Sequence, residues 1–173
     1  MREDVEIRVV EKGDAAFLHS LYNNPDIMSY WFEEAYLSLQ ALEKSFDDNI
    51  DNEKSRQFIV MHDNEKIGLV ELVGIDWKHR NAEFTIMIAP EHQGNGYARP
   101  ATKLAIDYGF STLNLHKLYL YVDKINEKAI HVYEKMGFEA EGVAKEMFFV
   151  NGTYHDAVVM GIFKRDVLRR DMN

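Results

Sequence analysis

The chain has 173 residues, 46% of them hydrophobic and 28% charged, with no cysteine and a formal net charge of −9. That length and balance suit a single domain, residues 1–173, with a sizeable core, and the lack of cysteine excludes a disulfide framework, thiolate metal sites and any covalent intermediate on a thiol. The acidic balance disfavours nonspecific nucleic-acid binding and is compatible with a cationic partner; with no apolar leader and no run long enough to span a bilayer, a soluble cytoplasmic protein without a membrane partner is expected.

In chain order, residues 5–10 read as a short strand. Asp14 suits the N-cap of a helix carrying Phe17, Leu18, Leu21 and Tyr22 on one side and ending near Asn24-Pro25. Segment 28–36 sets the carboxylates of Glu33 and Glu34 among Met28, Tyr30, Trp31, Phe32 and Tyr36. Such a cluster suits a pocket that holds an alkyl chain and pairs an ammonium group; it also suits two solvated glutamates beside aromatic packing. Ser38 can cap a helix in which Leu39, Leu42, Phe46 and Ile50 recur at helical spacing, followed by a polar loop at 51–56. Three strands, 57–62, 66–73 and 82–88, are joined by turns at Asp63-Asn64 and at 76–78, and they carry two further acids, Glu71 and Glu83. Pro90 ends the third. A helix is expected over 99–113, with Pro100 tolerated in its first turn. A strand at 117–122, a helix from Asn126, and strands 147–150 and 154–163 about a type I′ turn at Asn151-Gly152 complete the chain. The order β-α-α-β-β-β-α-β-α-β-β describes an α/β (α+β) fold with a mixed central sheet flanked by helices.

Two segments carry chemistry. Gln93-Gly94-Asn95-Gly96-Tyr97-Ala98 follows a strand and opens a helix. Closely spaced glycines there let the backbone approach a ligand, and their N–H groups with the helix N-terminus suit phosphate oxygens. Further on, Asn126, Ala129, Tyr133, Gly137 and Phe138 stand at the spacing N-x-x-A-x-x-x-Y-x-x-x-G-F. Asn126 suits a helix N-cap and Gly137 its C-terminal stop, with Ala129, Ile130 and Tyr133 on one face. A lone tyrosine in such a place would read as a core aromatic.

The two motifs, in this order, resemble the pyrophosphate loop and the following helix of the GNAT superfamily of acyl-CoA acetyltransferases. Y-W-F-E-E-x-Y, R-x-F-x-V, G-L-V-E-L-V, H-R-x-A-E-F, A-P-E-H-Q-G-x-G-x-A and N-L-H-K-L-Y-L, all read in this chain, are together similar to the bacterial spermidine N-acetyltransferases, from about residue 7 to 163. The resemblance implies direct acetyl transfer from acetyl-CoA, as co-substrate, to a polyamine. It implies that Ile86, Met87 and Ile88 run beside the pantetheine arm, and that Gln93, Gly94, Asn95, Gly96, Tyr97, Ala98 and Arg99 hold the pyrophosphate. Asn126, Lys128, Ala129 and Lys135 would complete the acetyl-CoA site. Tyr133 would protonate the departing thiolate and Glu83 would take the proton lost by the amine. Met28, Trp31, Glu33, Glu34, Glu71 and Glu83 would contact the polyamine. The family's homo-oligomer, a dodecamer, is implied as well.

The chain departs from that family at Ala35, where a proline is usual. It departs also at Ala41 and Asn49-Ile50-Asp51-Asn52, where the family carries residues of an allosteric polyamine site, and at Gly74, where the family carries a glutamate associated with a divalent cation. Weak or absent polyamine activation and no metal are therefore expected. The seven histidines show no metal-ligand spacing. Two other readings stay open: a related enzyme acting on a protein N-terminus, such as that of a ribosomal protein, and a non-enzymatic binding module.

Overall fold

The computed structural model describes residues 4–31, 33–48 and 51–171, the side chains of residues 31 and 168–171 excepted. Its strands are β1 (Val5–Val9), β2 (Arg56–His62), β3 (Glu65–Asp76), β4 (Asn81–Ile88), β5 (Lys117–Asp123), β6 (Glu139–Val150) and β7 (Thr153–Phe163). Its helices are α1 (Ala15–Tyr22), α2 (Pro25–Trp31), α3 (Leu39–Asp48), α4 (Ala98–Asp107), α5 (Glu127–Met136) and α6 (Lys164–Asp171). The strands form one sheet in the order β1-β2-β3-β4-β5-β7-β6. Neighbours run antiparallel except β4 and β5, which are parallel and joined through α4.

Side-chain alternation along the strands divides the core between the two faces of the sheet. On one face Phe58, Val70, Phe84 and Leu118 pack against Ala101, Ala105 and Phe110, with Ala129, Ile130 and Tyr133 of α5 beside them. On the other, Ile59, Leu69 and Met87 meet Leu18 and Leu21 of α1, Met28 of α2 and Leu42 of α3. Gly68 in β3 is fixed by closeness rather than by turn geometry: a Cβ there would lie 2.3 Å from the Met87 carbonyl oxygen. The type I′ reading of Asn151-Gly152 agrees with φ values of 49° and 88°.

Four features differ from the sequence expectation. Pro25 does not only end α1 but starts α2, where its missing N–H costs nothing, and the Asn24 side chain accepts from the Asp26 and Ile27 N–H groups. The expected helix over 99–113 is regular to Asp107 and then widens, with the Leu113 N–H donating to the Tyr108 carbonyl five residues back. β6 begins at Glu139, eight residues before the expected start, and register shifts beside Gly142 and Phe148 erase its period-two pattern. α6 is almost wholly polar and offers no apolar period to read.

The turn before α1 is held by an ion cluster. Arg8 on β1 donates to both oxygens of the buried Asp14 at 2.7 Å, Lys66 on β3 approaches to 2.7 Å, and the Glu11 N–H donates at 2.9 Å. The Arg8 hydrogen bond, against the opposing effect of burial, holds the Asp14 carboxyl well below the usual carboxylate range. A carboxylate whose folded pKa is depressed stabilises above its unfolded value of about 3.9 and loses that contribution as pH falls below it. Asp14→Asn is therefore expected to lose roughly 1–3 kcal/mol near neutral pH. Its deficit against the parent should shrink in urea titrations repeated at successively lower pH; a deficit that stays constant into acid would refute the assignment.

Candidate active site

Although β4 extends to Ile88 and β5 to Asp123, the two pair only at Asn81↔Lys117, Ala82↔Leu118 and Glu83↔Tyr119. Beyond Glu83 they diverge, while β4 remains paired with β3 as far as Ile88 on its other edge. The backbone of residues 84–88 therefore faces an open split. A cavity of about 1330 Å³ occupies this region, and its lining runs from Met28, Glu33 and Glu34 across Glu71, Glu83 and Thr85 to Tyr121 and Tyr133.

The carboxylates differ in setting. Glu33 and Glu34 follow α2 and are exposed, with the Glu33 N–H reaching the Met28 carbonyl at 3.3 Å. Glu71 is 4% exposed. It lies in a cross-strand row with Gln57 on β2 and Thr85 on β4, all on one face of the sheet. Gln57 Nε2 donates to one Glu71 oxygen and Thr85 Oγ1 to the other at 3.0 Å, and the Tyr22 hydroxyl also hydrogen-bonds to it. Burial nevertheless pushes the Glu71 carboxyl up, with the charge of Glu33 adding to it. Glu83 shares that face two residues from Thr85 and is half-buried; burial, then the charge of Glu71, raises its carboxyl above the usual range. Met28 lines the cavity while its bulk is buried in the α1–α3 layer. Tyr22, Gln57 and Thr85 escaped sequence reading because each looked like an ordinary helix or strand residue; polar side chains at every second position of buried strands were the available signal.

Tyr133 enters from the opposite side of the split. Asn126 caps α5, its Oδ1 accepting the Ala129 N–H at 3.1 Å. Gly137 ends the helix at φ 103°, and the Phe138 N–H donates to the Tyr133 carbonyl at 3.0 Å. The Tyr133 ring packs edge-on against Phe84 and Phe138. Burial alone pushes its phenol up to about 12, so it stays protonated at neutral pH.

The glycine loop leaves the far end of β4. Gly94 and Gly96 have φ values of 77° and 83°, a conformation that favours glycine. Gln93 Nε2 donates to the Ile88 carbonyl at 2.9 Å and so ties the loop to the strand. Asn95 lies in the loop, its Nδ2 donating to the His92 carbonyl at 3.2 Å, and Ala98 and Arg99 begin α4, where the first N–H groups have no partner within the helix. The Tyr97 ring is buried and packs on His62 and His92, so only its backbone can face a ligand. Because β4 and β5 are parallel, the helices that follow them, α4 and α5, both begin at the same end of the split, which sets their positive poles side by side. Lys128 and Lys135 are exposed on α5 and Ala129 is half-buried. Residues 93–99 and Asn126 stand outside the acid-lined cavity, at this end. The side chain of Trp31, and Phe32, Asn49 and Ile50, lie outside the described residues.

Among the described residues, Asp4, His62 and Asp63 are a group whose oxygens and imidazole nitrogen come within 4.8 Å of one another. They do not line the cavity, and the imidazole already lies 2.6 Å from Asp4 and 3.4 Å from Asp63.

A split sheet, two adjacent helix poles, an acid-lined cavity and a protonated phenol agree with what comparison with known proteins finds. The sequence matches the acetyltransferase (GNAT) domain family over residues 4–139. It is 51% identical over 164 residues to the spermidine N(1)-acetyltransferase of Escherichia coli K12, covering 95% of this chain and 88% of that protein. The crystal structure of spermidine N-acetyltransferase from Vibrio cholerae in complex with CoA and spermine superposes with a TM-score of 0.95 at 48% identity, covering 96% of this chain and 99% of that one. A dodecameric structure of the Vibrio cholerae enzyme in an intermediate state superposes with a TM-score of 0.89 at 47% identity, covering 98% of this chain and 99% of that one. With a domain match spanning most of its length and relatives near half identity end to end, the chain belongs to the GNAT acetyltransferase family.

Proposed function

We propose that this protein transfers the acetyl group of acetyl-CoA directly to an amine of a polyamine, spermidine or spermine, in a ternary complex. The observation that carries this reading is the acid-lined cavity that passes through the β4–β5 split to the Tyr133 hydroxyl's side of the sheet. The residues present suit acetyl-CoA. The open edge at Ile86, Met87 and Ile88 offers backbone groups to the amides of the pantetheine arm. Gly94, Asn95, Gly96 and the α4 N-terminus offer N–H groups to the pyrophosphate, with Arg99 beside them. Asn126, Lys128 and Ala129 stand at the α5 N-terminus beside this mouth, and Lys135, in the last turn of α5, is read as a further contact of the acetyl-CoA. Glu33 and Glu34 attract and pair the polycation, and Met28 and the neighbouring aromatic residues accommodate its methylene segments.

An ammonium cannot attack a thioester, so the amine must first lose a proton. Glu83 accepts it, directly or through one water; burial and Glu71 make this carboxylate more basic than an exposed one. The amine nitrogen then bonds to the thioester carbon. Negative charge on the carbonyl oxygen is met by a backbone N–H on the open edge of β4. When the C–S bond breaks, Tyr133 gives its phenolic proton to the leaving thiolate, and positioning both substrates in one complex supplies much of the acceleration. No metal enters this scheme.

The whole chain is read as one domain acting in the cytoplasm, where acetyl-CoA is available, and as a homo-oligomer, the dodecamer of the Vibrio cholerae enzyme being the assembly tested first. Loss of the family's carboxylate at Ala41 supports a weakened polyamine-activation site, and its loss at Gly74, whose φ of 60° favours glycine, supports the absence of the divalent cation. A protein N-terminus as substrate is the second reading, and the several carboxylates lining the cavity, Glu33 and Glu34 above all, count against it because a peptide amine brings one charge rather than several.

Free-thiol release from acetyl-CoA is to be measured against spermidine, spermine, putrescine, lysine and a ribosomal-protein N-terminal peptide. Turnover confined to polyamines, hyperbolic in spermidine, is expected; turnover with the peptide alone would replace this reading by the second. Tyr133→Phe is expected to lower kcat by roughly 10²–10⁴-fold with little change in either KM, and a parental kcat would remove Tyr133 from its role. Glu71→Gln removes a like charge beside Glu83, so Glu83 should ionise more readily and the lower break of the kcat/KM–pH profile should move to more acid pH. A rise in spermidine KM with no shift of that break would instead make Glu71 a direct substrate contact.

A further inference from the structure

One polar network outside the cavity reaches the acetyl-CoA end of the site. Asp123, the last residue of β5, is 7% exposed. Its Oδ2 accepts from His155 Nδ1 on β7 at 2.5 Å. Its Oδ1 accepts the Ile125 N–H at 3.1 Å, and its carbonyl accepts the Asn126 N–H at 2.9 Å. Asn126 in turn caps α5 through the Ala129 N–H. Asp123 thus holds the turn from β5 into α5 twice, through its carboxylate at Ile125 and its carbonyl at Asn126, and His155 is the side chain that fixes that carboxylate. A second strap runs alongside, from the Lys124 N–H to the Asp156 carbonyl at 3.0 Å and from Lys124 Nζ to the Asp156 carboxylate at 3.2 Å. His155 Nε2 lies 2.9 Å from Thr153 Oγ1, which holds the ring from its other side. Neither Asp123 nor His155 lines the cavity.

We infer that His155 is a positioning residue for acetyl-CoA: through Asp123 it fixes the turn that sets Asn126 and the N-terminus of α5, without touching polyamine. This rests on the cofactor placement proposed above. A buried carboxylate that loses its donor either draws in water or turns away, and either response releases the Ile125 N–H and loosens the helix start. The thermodynamic effect falls on the pyrophosphate mouth, where the α5 N-terminus sits, and leaves Glu33, Glu34 and Glu71 in place, because Glu33 and Glu34 follow α2 and Glu71 sits on β3.

The two amide isosteres of histidine separate this role from general support of the β6–β7 hairpin. Asparagine can place an N–H where Nδ1 stands, facing Asp123; glutamine places its amide where Nε2 stands, facing Thr153. Affinity for CoA is measured by calorimetry on the full chain, with KM for acetyl-CoA and for spermidine from thiol release. His155→Gln is expected to weaken CoA binding and raise acetyl-CoA KM about tenfold, the loss of one hydrogen bond to a buried charge, with spermidine KM essentially unmoved. His155→Asn is expected to restore parental values. Equal CoA affinity in His155→Gln and parent, or equal impairment in both variants, overturns the inference. If the parent itself fails to bind CoA, the proposed function falls and this inference with it, so the two failures are distinct. Should His155→Gln not fold, hydrogen exchange at the Ile125 and Asn126 amides of His155→Asn reads the same contact: parental protection is expected, and lost protection refutes it.

Discussion

The divergence of β4 from β5 is the constraint from which the site follows. Inside a sheet nearly every backbone N–H and C=O is paired across to a neighbour. Here β4 keeps its partner on the β3 side to Ile88 and gives up its partner on the β5 side after Glu83. The exposed edge supplies a ladder of donors and acceptors for an extended, amide-bearing arm. Because the two strands are parallel, the helices that follow them start at one end of the gap, and the poles that suit a pyrophosphate come from the same topology. The gap also connects the two faces of the sheet. That connection lets Glu83, on the α1–α3 face, and Tyr133, packed on Phe84 of the opposite face, line one cavity, as the proposed mechanism requires.

Burial then sets the chemistry of those two groups in complementary senses. It disfavours the charged form of each, which makes the Glu83 carboxylate a better proton acceptor and keeps the Tyr133 phenol protonated as a donor. Glu71 extends the effect. A carboxylate this deeply buried without partners would cost several kcal/mol, and Gln57, Thr85 and Tyr22 offset that cost with three donors. The resulting acid lies beside Glu83 without being exposed to solvent, and in the proposed reaction an arriving polycation relieves the repulsion between them. On that reading, substrate binding and base activation are parts of one electrostatic arrangement.

What the sequence made legible was what depends on local backbone demands. The Asn126 cap, the Gly137 stop, the positive φ of Gly94 and Gly96 and the Asn151-Gly152 turn each follow from a residue that few others replace in that conformation. The acidic cluster at Glu33 and Glu34 was legible as composition, and its place at a cavity mouth was not. The divergence of β4 and β5 has no local signature, since Phe84 to Ile88 reads as strand whether or not a neighbour is present. The Gln57–Glu71–Thr85 row depends on register across three strands, and the Asp123–His155 contact joins residues 32 apart. α2 was missed because a proline that forbids continuing one helix is also well suited to starting the next.

The cavity is not uniform in charge, and this bears on how catalysis and regulation separate. Besides Glu33, Glu34, Glu71 and Glu83 the lining includes Lys12, Lys54 and Arg56 together with Asp47 and Glu11, and the register sets Arg56 one position from the Gln57–Glu71–Thr85 row. Lys12 is paired to Asp47 at 2.9 Å, so part of that acid charge is already neutralised within the protein. Under the proposed function, a polycation in the cavity therefore meets acids of the sheet and cations of the β2 start within one lining. Ala41 and Gly74 add no charge of their own to the lining. On the proposed reading, the region that departs from the spermidine acetyltransferase pattern has lost acid charge at Ala41 and Gly74, which weakens its hold on a second polyamine. If that reading holds, restoring acids at Ala41 or Gly74 changes activation while the split, the phenol and Glu83 are left as they are.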